Sequence, residues 1–417
     1  MTWEPFDLPG SYSYISKSLV FHPELPGLIL VARQRCVSSE DFGEDCHQEY
    51  YVTQDLFASK PALLLEKANS CLFARSLEGI SGDVHQQLIL CLVVEWSRDL
   101  PYTSQILASN DFFQTDKRVI DFGFRSSSYH PSGLSFVGKY AIVDLYSREG
   151  HGRATLISSD LNRWERISPD TLMNFHTAFA LSQNKLGTFE SRFGSVGTLY
   201  VSDSSGTNLV ETLKDVHNPA WFGGFAYDKV PGVEHTSITN IITNFSEYRS
   251  IPNGELHTRI SFDDGSSSSF CWACTSLIKM PGSEWRSIKP SLGDASNSAA
   301  PCDPRDEESC SLHFHPPKLT NEDFTFREYA STTSPAAGIV IRVGSIGPFL
   351  APYEDCDTFI STDGGLNWGL LMNGPHRIEH SNHGSIIVLV RDEEDTDEVL
   401  YSTNSGQTWY VRVRVLR

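Results

Sequence analysis

Three groups of residues carry side chains of the type and spacing that chemistry requires. Cys271 and Cys274, in "CWAC" (271–274), have the spacing of a redox dithiol or of half a zinc site. Cys302 and Cys310 bracket an acidic loop, and His313 and His315 follow in "HFH" (313–315), a set that elsewhere could ligate a metal. The run "RDEEDTDE" (391–398) concentrates carboxylates that could attract a cation. Each falls short of its fuller requirement. A second Cys-x-x-Cys at zinc spacing does not occur, His-x-His reads as a strand with outward-facing histidines, and the acidic run lacks the Gly-spaced acids of a calcium loop. The expectation is no metal, no cofactor and no catalytic residue, with "RDEEDTDE" as a solvated loop between two apolar strands.

The elements that must position these residues are strands. Short apolar or alternating runs bounded by Gly, Pro, Asn, Asp and Ser recur, among them "GLILVA" (27–32), "LILCLVVEW" (88–96), "GTLYVS" (197–202) and "SIIVLV" (385–390), while helical periodicity is scarce. A repeat organises them. "STDGGLNW" (361–368) and "STNSGQTW" (402–409) both read Ser-x-Asp/Asn-x-Gly-x-x-Trp, with Ser361, Asp363, Gly365, Trp368 and Ser402, Asn404, Gly406, Trp409 in register. Looser copies lie at "SDSSGTNL" (202–209), "SSDLNRW" (158–164), "TQDLF" (53–57) and "SNDFF" (109–113), at the spacing of four-stranded propeller blades. The short polar side chain can bond backbone N–H groups of a tight turn, the glycine can take positive φ, and the tryptophan caps the hairpin. These Asp-box hairpins are folding motifs.

A formal net charge of −19 argues against a nucleic-acid or anionic-membrane partner. No apolar run is long enough to cross a bilayer, and "MTWEPFDLPG" lacks the pattern of a secretory signal. Yet nine cysteines, several in close pairs (Cys36 and Cys46, Cys71 and Cys91, Cys302 and Cys310), suit disulfides in an oxidising compartment, and Asn244-Phe-Ser246 is a glycosylation sequon.

The stretches "PCDPRDEESCSLHFH" (301–315), "GIVIRVGSIGPFLAPYEDCDTFISTDGGLNW" (338–368) and "GPHRIEHSNHGSIIVLVRDEEDTDEVLYSTNSGQTW" (374–409) closely resemble the ten-bladed propeller of the sortilin-type sorting receptors, in particular the fungal vacuolar sorting receptors for carboxypeptidase Y. "LVFHPELPGLILVARQRC", "EDCHQEYYVTQDLF" and "DFFQTDKRVIDFGF" extend the resemblance upstream. It implies an all-β partial β-propeller of about seven blades over residues 1–417. It further implies non-catalytic capture of soluble hydrolase propeptides in the late Golgi, for delivery to the vacuole through endosomes, on the lumenal side of a membrane-anchored receptor. Cys302 and Cys310 match a disulfide of the family, and Cys356 corresponds to a cysteine whose partner lies outside this chain. In animal relatives an arginine at the start of a strand grips the ligand's C-terminal carboxylate; the matching position in "FVGKYAIV" is Lys139, which keeps the charge without the two-point fork.

The chain also departs from the family. The family's signal peptide, earlier blades, cysteine-rich module and membrane helix are not in this sequence, and Met1-Thr2-Trp3 resembles the end of a hairpin motif. "SFDDGSS" supplies Ser261, Asp263 and Gly265, but the tryptophan arrives only at Trp285, after residues 268–284. Those residues read as a non-family insertion in one Asp-box hairpin, a translated intron or mis-drawn exon boundary, the alternative being a tolerated loop insertion at a surface hairpin tip, and are expected to separate Trp285 from the turn it caps. The alternatives are a truncated product or soluble decoy, and an Asp-box glycosidase; for the latter the F-R-I-P segment of sialidases is missing, "YRSIP" (248–252) being the nearest string.

Overall fold

A strand apolar at every position, such as residues 88–94, cannot belong to a sheet with one wet face; it needs cover on both. The computed structural model provides that cover. It describes residues 19–39, 43–77, 79–80, 84–95, 103–123, 128–147, 153–167, 175–182, 185–193, 196–217, 227–230, 232–243, 255–263, 265, 285–291, 294, 302–303, 305–307, 309–316, 337–381, 384–392 and 396–413. The chain runs through successive antiparallel meanders. The first comprises β1 (Leu19–Phe21), β2 (Ile29–Ser39), β3 (Gly43–Thr53) and β4 (Ala62–Glu66); the second β5 (Ala68–Phe73), β6 (Ile89–Glu95), β7 (Thr103–Ser109) and β8 (Arg118–Val119). The third comprises β9 (Tyr129–Val137), β10 (Tyr140–Ser147), β11 (Arg153–Ser158) and β12 (Glu165–Arg166).

Next, β13 (Phe175–Ser182), β14 (Lys185–Phe193), β15 (Val196–Ser202) and β16 (Leu209–His217) join β17 (Tyr227–Lys229), β18 (Ser237–Ile242) and β19 (Leu256–Ser261) through one pair, Val216 with Ile241. Two further meanders follow, β20 (Ser311–Phe314), β21 (Val340–Gly347), β22 (Asp357–Ser361), β23 (Gly369–Met372), and β24 (His376–Ser381), β25 (Ile386–Arg391), β26 (Glu398–Ser402), β27 (Tyr410–Val413).

The core is a series of seams between consecutive meanders. On β6, Ile89, Cys91 and Val93 pack toward Leu30, Tyr50 and Val52 of the first meander. The alternate residues Leu90, Leu92 and Val94 pack toward Ala141, Val143 and Leu156 of the third. The same alternation places Leu199, Val201 and Val216 against Tyr227, and Leu312, Phe314 and Phe359 against Ile238 and Ile260. Four-stranded meanders stacked face to face in chain order are the construction of a β-propeller.

Candidate functional site

The hairpins joining third to fourth strands share one hydrogen-bond device. Ser361 Oγ accepts the Gly365 N–H at 2.8 Å and donates to Asp363 Oδ1 at 2.9 Å; Asp363 Oδ1 accepts the Asn367 N–H, and Trp368 Nε1 donates to the Gly365 carbonyl at 3.0 Å. Ser402, Asn404, Gly406 and Trp409 repeat the geometry, with the Gly406 N–H on Ser402 Oγ at 2.9 Å and Trp409 Nε1 on the Gly406 carbonyl at 3.0 Å. Sequence reading gave the positive-φ position to glycine, but the turn survives without it. Thr53 Oγ1 accepts the Phe57 N–H and Ser109 Oγ the Phe113 N–H, at 3.1 and 2.8 Å, with Phe57 at φ 66° and Phe113 at φ 62°. The hydroxyl defines the turn, and the left-handed phenylalanine is accommodated at a backbone cost of about 1–2 kcal/mol.

Ser261 and Asp263 hold their turn in the same way, with the Gly265 N–H on Ser261 Oγ at 2.7 Å. Trp285 is not separated from it, contrary to the expectation from residues 268–284. A Cβ on Gly265 would lie 2.6 Å from Trp285 Nε1, and Ile260 and Arg286 exchange both backbone hydrogen bonds, which returns the chain to the edge of β19. One feature is lost: among the described residues Trp285 Nε1 has no hydrogen-bond partner, whereas Trp368 and Trp409 each donate to their turn. Residues 268–284, with Cys271 and Cys274, lie outside the described residues, as do Asn244 and Met1 to Trp3.

Disulfides link Cys71 to Cys91, directly opposed on β5 and β6, and Cys302 to Cys310. Cys36 and Cys46 are opposed on β2 and β3, but their side chains fall outside the described residues. Cys356 is a buried free thiol, pushed up to about 12 chiefly by burial, and its Sγ is directed at the Pro352 carbonyl.

His313 on β20 does not face outward, and His315, just after the strand, is half-buried. His313 is 0% exposed because β20 is covered by β19 on one face and by the 347–352 loop beyond. Its Nδ1 accepts the Thr258 N–H at 3.1 Å and its Nε2 donates to the Gly347 carbonyl at 3.1 Å, a neutral ring with the proton on Nε2. Burial, followed by the neighbouring His257 and Arg259, lowers its pKa to about 4. Around it runs a closed polar network: Thr258 Oγ1 donates to Asn240 Oδ1 at 2.7 Å and accepts the Phe314 N–H at 2.7 Å, while Asn240 Nδ2 donates to the Phe314 carbonyl at 2.9 Å. His315 Nε2 donates to the Ala351 carbonyl at 3.0 Å. Within the same seam Arg342 of β21 pairs with Asp228 of β17, both 7% exposed, and burial lowers the guanidinium to about 10. No sequence signal pointed to this pair, whose members lie far apart in the chain.

Lys139 sits in the β9–β10 turn, its ammonium 3.4 Å from the Ser204 carbonyl and over the Tyr140 ring at 5.1 Å. The Tyr140 hydroxyl donates to the same carbonyl at 2.9 Å. The lysine therefore lies at the seam with the following meander, among the hairpin tips.

Against this framework the comparisons with known proteins are direct. The family described as Sortilin-Vps10 (sortilin, neurotensin receptor 3) matches residues 1–273 and 280–412. The chain belongs to the sortilin–Vps10 family. It is similar to vacuolar protein sorting/targeting protein 10 of Laccaria bicolor, 32% identical over 428 residues that cover 98% of this chain and 27% of the relative. Vacuolar protein sorting/targeting protein PEP1 of Saccharomyces cerevisiae is 30% identical over 374 residues, 88% of this chain and 22% of the relative. This sortilin–Vps10 chain thus spans about a quarter of the length of these curated relatives. Among solved structures, the β-propeller domain of the Trilobed protease from Pyrococcus furiosus aligns with 94% of this chain and 96% of its own at 8% identity, with a TM-score of 0.34.

Proposed function

We propose that this chain is the lumenal, cargo-binding portion of a vacuolar sorting receptor, which captures precursors of soluble vacuolar hydrolases in the late Golgi without catalysing a reaction. The observation that carries the reading is the family match along nearly the whole chain, together with relatives named for vacuolar protein sorting and targeting. Capture would use strand edges and side-chain pockets of the propeller. Lys139 would supply a positive charge for a carboxylate, as a point charge in place of the planar fork of an arginine.

Release would follow acidification along the route to the endosome. A neutral, buried His313 supports this, because a second proton on its ring would set N–H against the Thr258 N–H. The test is binding of the 417-residue chain to an immobilised propeptide of a soluble vacuolar hydrolase, near pH 7 and near about pH 5. Binding at neutral pH that weakens in acid and drops in Lys139→Ala is expected. No binding at either pH refutes the cargo reading, and pH-independent binding refutes the release step alone.

A further inference from the structure

The segment after β21 is an apolar loop that folding has not hidden. In Pro348-Phe349-Leu350-Ala351-Pro352, Phe349 is 43% exposed and both prolines are exposed. A loose loop could bury such side chains by collapsing, but this one is tied at several points. His313 Nε2 donates to the Gly347 carbonyl and His315 Nε2 to the Ala351 carbonyl. The Ala351 N–H donates to Ser345 Oγ at 2.9 Å, and the Leu350 N–H to the Leu256 carbonyl at 2.9 Å. Both imidazoles of the His-x-His motif are thereby spent on this loop. An aromatic residue fixed in an exposed position has already lost the conformational freedom that binding would otherwise remove, which is the physical character of an interface anchor.

The ground beside the loop is acidic. Glu354 and Asp355 follow it directly and are exposed. The Tyr353 hydroxyl donates to Asp392 Oδ2 at 2.8 Å, which joins this corner to the β25–β26 connection, where Asp397 and Glu398 are also exposed. Two exposed cations lie here as well, Arg377, which pairs with Asp392, and Arg391 at the root of that connection, so the carboxylates of Glu354, Asp355, Asp397 and Glu398 still outnumber them. The charge of the rim selects the sign of a partner and steers its approach, while the aromatic centre supplies the contact.

We propose that the 347–357 corner, centred on Phe349 and rimmed by Glu354 and Asp355, is a docking surface for a protein segment that carries both lysine or arginine and apolar side chains. The surface lies at the strand-2-to-strand-3 end of its meander, opposite the Asp-box turns and Lys139, so it goes beyond the cargo reading and does not depend on it.

The probe is a labelled synthetic peptide of alternating leucine and lysine, with its leucine–glutamate counterpart as comparison, titrated with the 417-residue chain by fluorescence anisotropy. Phe349→Ser should weaken binding by about tenfold, and Glu354→Lys with Asp355→Lys should weaken it comparably and flatten its salt dependence. Leu366→Ser removes a 65% exposed side chain from the β22–β23 turn and should leave binding unchanged, and equal thermal midpoints will show that all variants fold. Equal affinity in Phe349→Ser and the parent, equal loss in Leu366→Ser, or equal binding of the glutamate peptide would each overturn the proposal while leaving the cargo reading intact.

Discussion

Acidification of this protein should remove stability through His313 in a way that one substitution can isolate. The ordinary histidine value is 6.5, which applies to the unfolded chain, and the folded value is about 4. The unfolded state therefore takes up the proton first: stability is complete above about pH 6.5 and is lost as pH falls toward the folded value. The shift corresponds to about 3 kcal/mol once pH lies below both values, of which about 2 kcal/mol is gone by pH 5. Between pH 5 and 6 the unfolded chain holds close to one proton more than the folded chain at this site, a slope of about 1 kcal/mol per pH unit. His217, lowered to about 4 by burial alone, adds a similar slope. Asp111, held below the ordinary carboxylate range chiefly by the Thr115 hydroxyl, titrates at more acid pH and does not contaminate this window. Urea unfolding of the parent and of His313→Gln at a series of pH values supplies the two slopes. The variant should lose about 1 kcal/mol per pH unit of acid lability, whatever its stability at neutral pH. Identical slopes would mean that His313 is not held neutral between β19 and the 347–352 loop, and the argument from its two hydrogen bonds would fail.

Other perturbations follow from single contacts. Asp228→Asn should destabilise the chain by about 3–5 kcal/mol in urea unfolding, since it strands the buried Arg342, whereas a paired Asp228→Leu and Arg342→Met replacement should recover most of that loss. Gly365 has φ 91°, and a Cβ there would approach Ile260 Cδ1 to 2.9 Å; Gly365→Ala should cost about 1–3 kcal/mol by the same measurement. Leu56 is 60% exposed at φ 56°, so Leu56→Asn should raise stability by about 1 kcal/mol, read as a higher thermal midpoint. Deletion of residues 268–284 should add about 1–2 kcal/mol by shortening the connection to Trp285 and letting its Nε1 reach the Gly265 carbonyl, checked by the thermal midpoint and by protection of the indole N–H from exchange.

The strands were legible because a β-meander covered on both faces leaves an unusually plain trace: in "LILCLVV" every residue is apolar, and each face of β6 meets a different neighbour. The family was legible for a related reason, since long stretches with their turns and cysteines persist together. Chemistry that depends on a third dimension was not. His313 and His315 read as outward because strand alternation says which residues share a face but not what covers that face. Nothing local marks Asp228 or Arg342 as partners, and although "TQDLF" and "SNDFF" were legible as looser copies, that Phe57 and Phe113 take the left-handed position with their N–H on Thr53 and Ser109 was not.

The two described disulfides close over 20 and 8 residues, the first between neighbouring strands. Either can therefore oxidise as soon as its own short segment has emerged during synthesis, before the remaining meanders exist to pack on it. Cross-linking then stiffens individual segments while the seams between them stay reversible. Meanders can part and re-seat without breaking or reshuffling either bond, and reductant should loosen a meander from within rather than pull the stack apart.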